Sequence, residues 1–388
     1  MPPDSMMPIR NLTTPARDSC PQPLPLPYNA IVDRNRKSAS MLRRHAACLP
    51  AQRRSERSER SATRTGPRNS WIRLSAERLR TAARIRWCAG LAAVLALCAA
   101  AGAAEPLKLE NVAEGVHVYT GPHEEANARN LGAVGNAGVV IGTDSVAVID
   151  TGGSPAFGRR LRASVEKLTD LPIAYVVSTH AHPDHIFGGT AFDDPTVTFA
   201  GHRKLERALA LRAPFYLDAF RRLIGTEFDG ARVIVPTLAV SGETRIDLGD
   251  RVLVLTAYRT AHTDNDLTVL DLRTGTLFAG DLVFVDRLPV VDGSLKGWLE
   301  VAAALRSVPA ARVVPGHGPA TAPWPGALDA QERYLRALLR DVRKEIAAGG
   351  RIETAIRRVA VEERNRWVGF DLNHPRNVTA SFTELEWE

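Results

Sequence analysis

Between residues 179 and 189 the chain reads Thr-His-Ala-His-Pro-Asp-His-Ile-Phe-Gly-Gly, and no other run in the 388 residues constrains the fold as much. Three histidines and an aspartate, His180, His182, Asp184 and His185, fall within six positions. In an extended segment residues two apart point the same way, so His180 and His182 can grip one cation together. The turn that follows redirects Asp184 and His185, which suits a second cation. Two side chains are too few for either ion, so further donors must arrive from far along the chain.

Three later segments, each beside a β-type run, can supply them. Ala261-His262-Thr263 comes after the run at 252–258, Gly280-Asp281 after 276–278, and Gly316-His317-Gly318 after 312–314. The expected set is His180, His182 and His262 on one ion, Asp184, His185 and His317 on the other, and Asp281 shared. All four cysteines precede residue 105, so the ligands downstream are nitrogen and oxygen only. That donor set suits two zinc ions, with iron or manganese as alternatives. Such a pair prepares a bridging hydroxide for attack on a carbonyl or phosphoryl centre. Asp184 is expected to orient that hydroxide, and Asp264 to hold a ligand ring from behind.

The rest of the pattern frames these segments. Residues 116–119, 138–141, 145–150 and 174–178 read as strands, and 155–170 as a helix with Phe157, Leu161, Val165 and Leu168 on one face. Further helical stretches lie near 202–225, 295–307 and 326–360, with strands at 233–235, 252–255, 267–272, 276–278 and 312–314. Hairpin-rich strands flanked by helices in each half point to an α+β fold, a four-layer αββα sandwich of two facing mixed sheets. The hydrolase domain is expected over 105–325, with 326–388 as a helical extension packed on it.

Before residue 105 the chain is of another kind. Residues 84–104 run from Arg84 and Arg86 through an apolar stretch to Ala101-Gly102-Ala103-Ala104, the pattern of a secretory signal peptide. The apolar stretch, about 14–18 residues, is at or below the roughly 20 needed to span a bilayer, so cleavage is expected over anchoring. Residues 1–83, rich in Arg, Ser and Pro, read as a disordered leader or as a start assigned too far upstream. The mature protein is then periplasmic or secreted, and meets a membrane only if the leader stays uncleaved. Residues 1–104 hold 18 Lys and Arg against 6 Asp and Glu, while the remainder holds 32 against 37. The basic charge therefore belongs to the leader, and no nucleic-acid partner is expected.

With the ligand hexamer, His262, Asp281 and His317 in place, residues 108–325 resemble the metallo-β-lactamase superfamily. Within it the wording is similar to the quinoprotein relay system zinc metallohydrolases. The phrases that carry this are Gly121-Pro-His-Glu-Glu-Ala-Asn127, Val148-Ile-Asp-Thr-Gly-Gly153, Val291-Asp-Gly-Ser-Leu-Lys-Gly-Trp298, and the ending from Arg376-Asn-Val to Glu384-Leu-Glu-Trp-Glu388. The resemblance implies an exported dizinc hydrolase acting on an ester, thioester or amide-type bond of a small molecule, working beside a quinone-dependent dehydrogenase system. It also implies rivals: a β-lactamase, a thioesterase like hydroxyacylglutathione hydrolase, and a mononuclear-iron persulfide dioxygenase. Asp281 fits the thioesterase pattern better than the lactamase one, where Cys or Ser is typical. His182 argues against the diiron flavoprotein branch, which typically carries Glu there.

The remaining histidines divide differently. His117 and His202 read as ordinary strand or surface residues. His123, with Glu124, Glu125 and Asn127, sits where this fold places a substrate flap, and His374 in Asn373-His374-Pro375-Arg376 is a weaker candidate of the same kind. Gly152-Gly153 is turn chemistry and not a phosphate loop, since no Lys-Ser/Thr follows.

Overall fold

The computed structural model describes residues 104–388, so the readings of 1–83 and of the signal peptide lie, Ala104 apart, outside the described residues. No helix among the described residues is long and apolar enough to cross a membrane. The first sheet has seven strands in chain order: β1 (Glu110–Ala113), β2 (Val116–Tyr119), β3 (Ala137–Ile141), β4 (Val146–Ile149), β5 (Ile173–Ser178), β6 (Thr198–His202) and β7 (Leu238–Val240). Antiparallel hairpins run through β4, and the pairs from β4 to β7 are parallel. The second sheet holds β8 (Glu243–Asp247), β9 (Val252–Ala257), β10 (Leu267–Asp271), β11 (Thr276–Phe284), β12 (Arg312–His317) and β13 (Ala322–Pro323), in the order β13-β12-β11-β10-β9-β8.

Period-2 alternation builds the layers. Val140, Ala147 and Ile149 face Leu253, Leu255, Val269 and Phe278 across the middle core. Their neighbours Val139, Val146 and Val148 turn the other way, onto Phe157, Leu161 and Val165 of helix α1 (Pro155–Leu168). On the far side Val254, Leu270, Leu277 and Val313 pack under Trp298, Leu305 and Tyr334 from outer helices. Three apolar seams separate four layers, the αββα sandwich. Ser154 starts α1 by accepting a hydrogen bond from Phe157 N at 3.2 Å. Leu168, assigned to the buried face, is 41% exposed because the helix ends there.

The other helices are α2 (Pro183–Ile186), α3 (Leu205–Ile224), α4 (Leu295–Leu305), α5 (Leu328–Ala347), α6 (Ile352–Arg358) and α7 (Phe370–Leu385). Several expectations need correction. Residues 233–235 form no strand: Pro236 lacks the donor a ladder needs, and Val233 and Ile234 pack against helices instead. Strands β1, β6, β7, β8 and β13 were not anticipated, being short and partly polar. Strand β11 runs on to Phe284, so Asp281 lies inside it and not after it, and His317 is the last residue of β12. Helix α7 continues through Pro375, the sixth residue of the helix, at the cost of one i→i−4 hydrogen bond.

Candidate metal centre

Each proposed ligand sits at the same end of the two sheets. His180 follows β5 by two residues, His182 caps α2, and Asp184 and His185 lie within it. The second sheet adds Asp281 from β11 and His317 from β12, and the loop after β9 adds His262. Gly316 is required here, since a Cβ on it would lie 2.0 Å from Asp281 Oδ1. One donor atom each from His180, His182, His262 and Asp281 falls within a 4.8 Å group, and one each from Asp184, His185 and His317 within another. Asp281 reaches both: Oδ1 is 3.2 Å from His185 Nε2, and Oδ2 is 3.4 Å from both His262 Nε2 and His317 Nε2. All seven residues named from the sequence therefore converge.

The hydrogen bonds behind the rings set which nitrogen carries the proton. His262 Nδ1 donates to the Val290 carbonyl at 2.7 Å, and His317 Nδ1 to the Val134 carbonyl at 3.0 Å. A carbonyl only accepts, so both Nε2 atoms present lone pairs to the centre. Asp150 fixes two more rings. Its Oδ2 accepts from His185 Nδ1 at 2.8 Å and from the Thr179 hydroxyl at 2.8 Å. With its proton spent there, the Thr179 hydroxyl accepts from His180 Nδ1 at 3.0 Å, and His180 Nε2 is left bare. His182 is turned round, its Nε2 donating to Asp292 at 3.1 Å and its Nδ1 facing inward.

This arrangement is uncomfortable without a cation and natural with one. His180 Nε2, His185 Nε2 and Asp281 Oδ1 are buried and have no hydrogen-bond partner, an expensive state for polar atoms. His182 Nδ1 and His262 Nε2 stand 3.0 Å apart with lone pairs facing. Tetrahedral zinc with Zn–N near 2.0–2.1 Å requires donor atoms roughly 3.3 Å from one another. The spacings here, 3.0 Å for the two histidines, 3.4 and 3.7 Å from Asp281 to His262 and His180, and 3.4 and 3.5 Å from Asp184 to His317 and His185, bracket that value. Donor type, spacing and orphaned atoms all fit divalent metal.

Electrostatics agree. Burial holds His180 well below the usual imidazole range and lowers His262 to about 4, so both are neutral donors at neutral pH. Burial also opposes a charge on His185, but Asp184, Asp281 and Asp150 outweigh it and hold that ring well above its ordinary value. For Asp281, burial is outweighed by the imidazoles beside it, His317 and His185 first, which hold its carboxyl well below the usual range. The carboxylates thus draw positive charge to this spot.

Above the ligands opens a cleft of about 410 Å³, lined by ligand residues, by apolar Val134, Phe220, Leu223, Phe284 and Val290, and by Glu125, Arg287, Asn373 and Arg376. Of the segment expected to form a flap, Glu125 lines this cleft, whereas His123 lines a separate hollow beside Arg364 and Trp367. His374 turns away, bonding Tyr334 and the Val359 carbonyl, while its neighbours Asn373 and Arg376 face the cleft. His117 and His202 are strand residues, the latter buried and bonded to the Tyr258 carbonyl. Asp264 is corrected: its carboxylate accepts from Asn265 and bonds no ligand ring, because the carbonyl of Val290 already holds His262. Asp150 and Asp292 do that work and were missed. The signals were there, an aspartate ending an apolar strand before Gly-Gly and another in Val291-Asp292-Gly293.

Comparisons with known proteins agree with this geometry. Residues 131–317 match the family model described as the metallo-beta-lactamase superfamily. No curated protein matches the sequence. Among solved structures, the stereoselective inverting sec-alkylsulfatase Pisa1 from Pseudomonas sp. is similar, at 14% identity over 71% of this chain and 50% of that one, with a TM-score of 0.57. A double mutant of the same sulfatase gives 15% identity over 72% and 50%, with a TM-score of 0.58. A metallo-beta-lactamase from Pontibacter korlensis gives 21% identity over 59% of this chain and 99% of that one, with a TM-score of 0.47. At these identities the sulfatase likeness speaks to the fold alone, and the chain spans half the sulfatase's length. Family match and converging His/Asp cluster give one conclusion: residues 131–317 carry the pattern of the metallo-beta-lactamase superfamily, and the chain is a metal-dependent hydrolase.

Proposed function

We propose that the protein is an exported hydrolase with two zinc ions, cleaving an ester, thioester or amide-type bond in a small molecule, of the quinoprotein relay type. His180, His182 and His262 would hold one ion, Asp184, His185 and His317 the other, with Asp281 between them. One observation carries the reading: two donor groups, each of at least three residues, share the Asp281 carboxylate and open onto a single cleft. When bound, such a pair supplies a water acidic enough to ionise near neutral pH and a Lewis acid for the substrate oxygen.

The chain's own part is positional. Asp150, Asp292, Val290 and Val134 fix the tautomers, so the ligand atoms need no reorganisation on loading. Asp184 Oδ2 faces His185 and His317, which leaves Oδ1 to accept a proton from the attacking water. Phe220, Leu223 and Phe284 exclude bulk water from one wall of the cleft. Export rests on the sequence of residues 84–104, and work beside a quinone-dependent dehydrogenase rests on the phrases quoted above.

Counting metals on the purified full chain, then assaying ester, thioester and lactam substrates on that sample, tests the reading. Two zinc ions per chain with turnover on one bond class is the expected result. A single iron per chain would replace it with the dioxygenase reading.

A further inference from the structure

Besides the ligands, three side chains that can donate hydrogen bonds line the cleft: Arg287, Asn373 and Arg376. Arg287 is only 8% exposed, and its guanidinium is pinned by the Glu124 carbonyl at 2.6 Å and the Glu125 carboxylate at 2.7 Å. Arg376, the seventh residue of α7 and exposed, lines the same cleft and has no acidic partner among the described residues. Between them in sequence lies Asn373, 4% exposed, whose buried Nδ2 has no hydrogen-bond partner.

A buried amide nitrogen without a partner is costly, and an unpaired guanidinium beside an apolar-sided cleft is an anion receptor. Glu125 neutralises Arg287, so the wall keeps the positive charge of Arg376. Polar groups this few and this convergent in an otherwise apolar cleft fix the orientation of a ligand. What completes them is an acceptor with more than one oxygen.

We infer that the substrate carries an oxyanion group, a carboxylate, sulfonate-type or phosphate-type end, held by Arg376, Arg287 and Asn373, with an apolar body between it and the bond cleaved at the metal centre. This deepens the function proposed above and rests on it for the position of the scissile bond. The apolar body lies along Phe220, Leu223 and Val290. Arg376 is a specificity-determining residue outside the 131–317 segment that matches the family, so this recognition is a property of the C-terminal helix.

Titration calorimetry on the zinc-loaded full chain tests the inference with four probes sharing one carboxylate: glutarate, 4-sulfobutyrate, 4-phosphonobutyrate and the uncharged-ended glutaramate. At least one anionic-ended probe should bind about tenfold or more tightly than glutaramate, and the tightest identifies the group. Arg376→Ala should erase that advantage and Arg376→Lys keep part of it, with thermal melts checking that both variants fold. Equal binding of all four probes by the wild type, or an advantage that survives Arg376→Ala, overturns the inference. The metal count on the same sample reports separately on the hydrolase reading, because binding needs no turnover.

Discussion

His185 and His317 are held from within the sheets, whereas His182 and His262 are held from a loop that the C-terminal helix ties down. Behind the first pair stand buried Asp150, at the end of β4, and the Val134 carbonyl just before β3. Behind the second stand Val290 and Asp292, in a loop whose backbone is gripped by Asn377: its Oδ1 accepts from Val291 N at 2.9 Å and its Nδ2 donates to the Pro289 carbonyl at 2.7 Å. Asp292 also pairs with Arg212 of α3, half in solvent. One group of ligands is thus prepared by strand pairing that the fold cannot form without, and the other by packing of outlying helices. His180 belongs to the three-histidine group yet leans on Asp150 through Thr179, so the two groups are unequal but not independent.

Removing the carboxylate common to both should erase the contrast. Asp281→Ala is expected to lower turnover by about a thousandfold or more and to reduce metal content at both positions, read by metal analysis and steady-state assay. Asp150→Asn, which puts a donor where His185 Nδ1 and the Thr179 hydroxyl need an acceptor, should weaken metal binding roughly 10–100-fold. Both steps of a chelator-competition titration should move, since His180 and His185 both depend on it.

Asn377→Ala separates the two groups. It removes hydrogen bonds to Val291, Pro289 and Tyr334 and should cost about 2–4 kcal/mol of stability. Only one metal-binding step should weaken; equal weakening of both would show that the loop and the sheets act as a single unit. The smallest effect concerns His374, which burial lowers to about 4. Between that value and about 6.5 the unfolded chain binds more protons than the folded one, so stability rises with pH across this window. Lowering the pH from 6.5 toward 4 should therefore cost on the order of 1–3 kcal/mol through this group. A His374→Gln variant should show a flatter profile of urea midpoint against pH, with the full loss already present above pH 6.5.

Legibility followed the same division. The ligands of both groups could be named from the sequence because their chemistry is local: residue types able to bind metal, two apart in an extended segment or beside an apolar run. The bracing residues were harder. Asp150, Asp292 and Asn377 carry no period and no spacing rule, and each acquires its role from a partner distant in sequence. Asp264, the neighbour that proximity favoured, was the wrong one because the loop turns its carboxylate toward Asn265. His374 drew attention as a histidine, yet its flanking Asn373 and Arg376 face the cleft, a choice made by how α7 rotates against α5.

The sequence by itself determined the donor set, the alternation that makes two sheets back each other, and the convergence those two facts require. Tertiary structure alone decided which ring nitrogen faces inward, which residues brace the rings from behind, and that Asn373 and Arg376 of α7 line the same cleft as the ligands. The reason is physical: side-chain periodicity and ligand chemistry are properties of neighbours along the chain, while hydrogen-bond partners and cleft walls are set by packing between elements far apart in it.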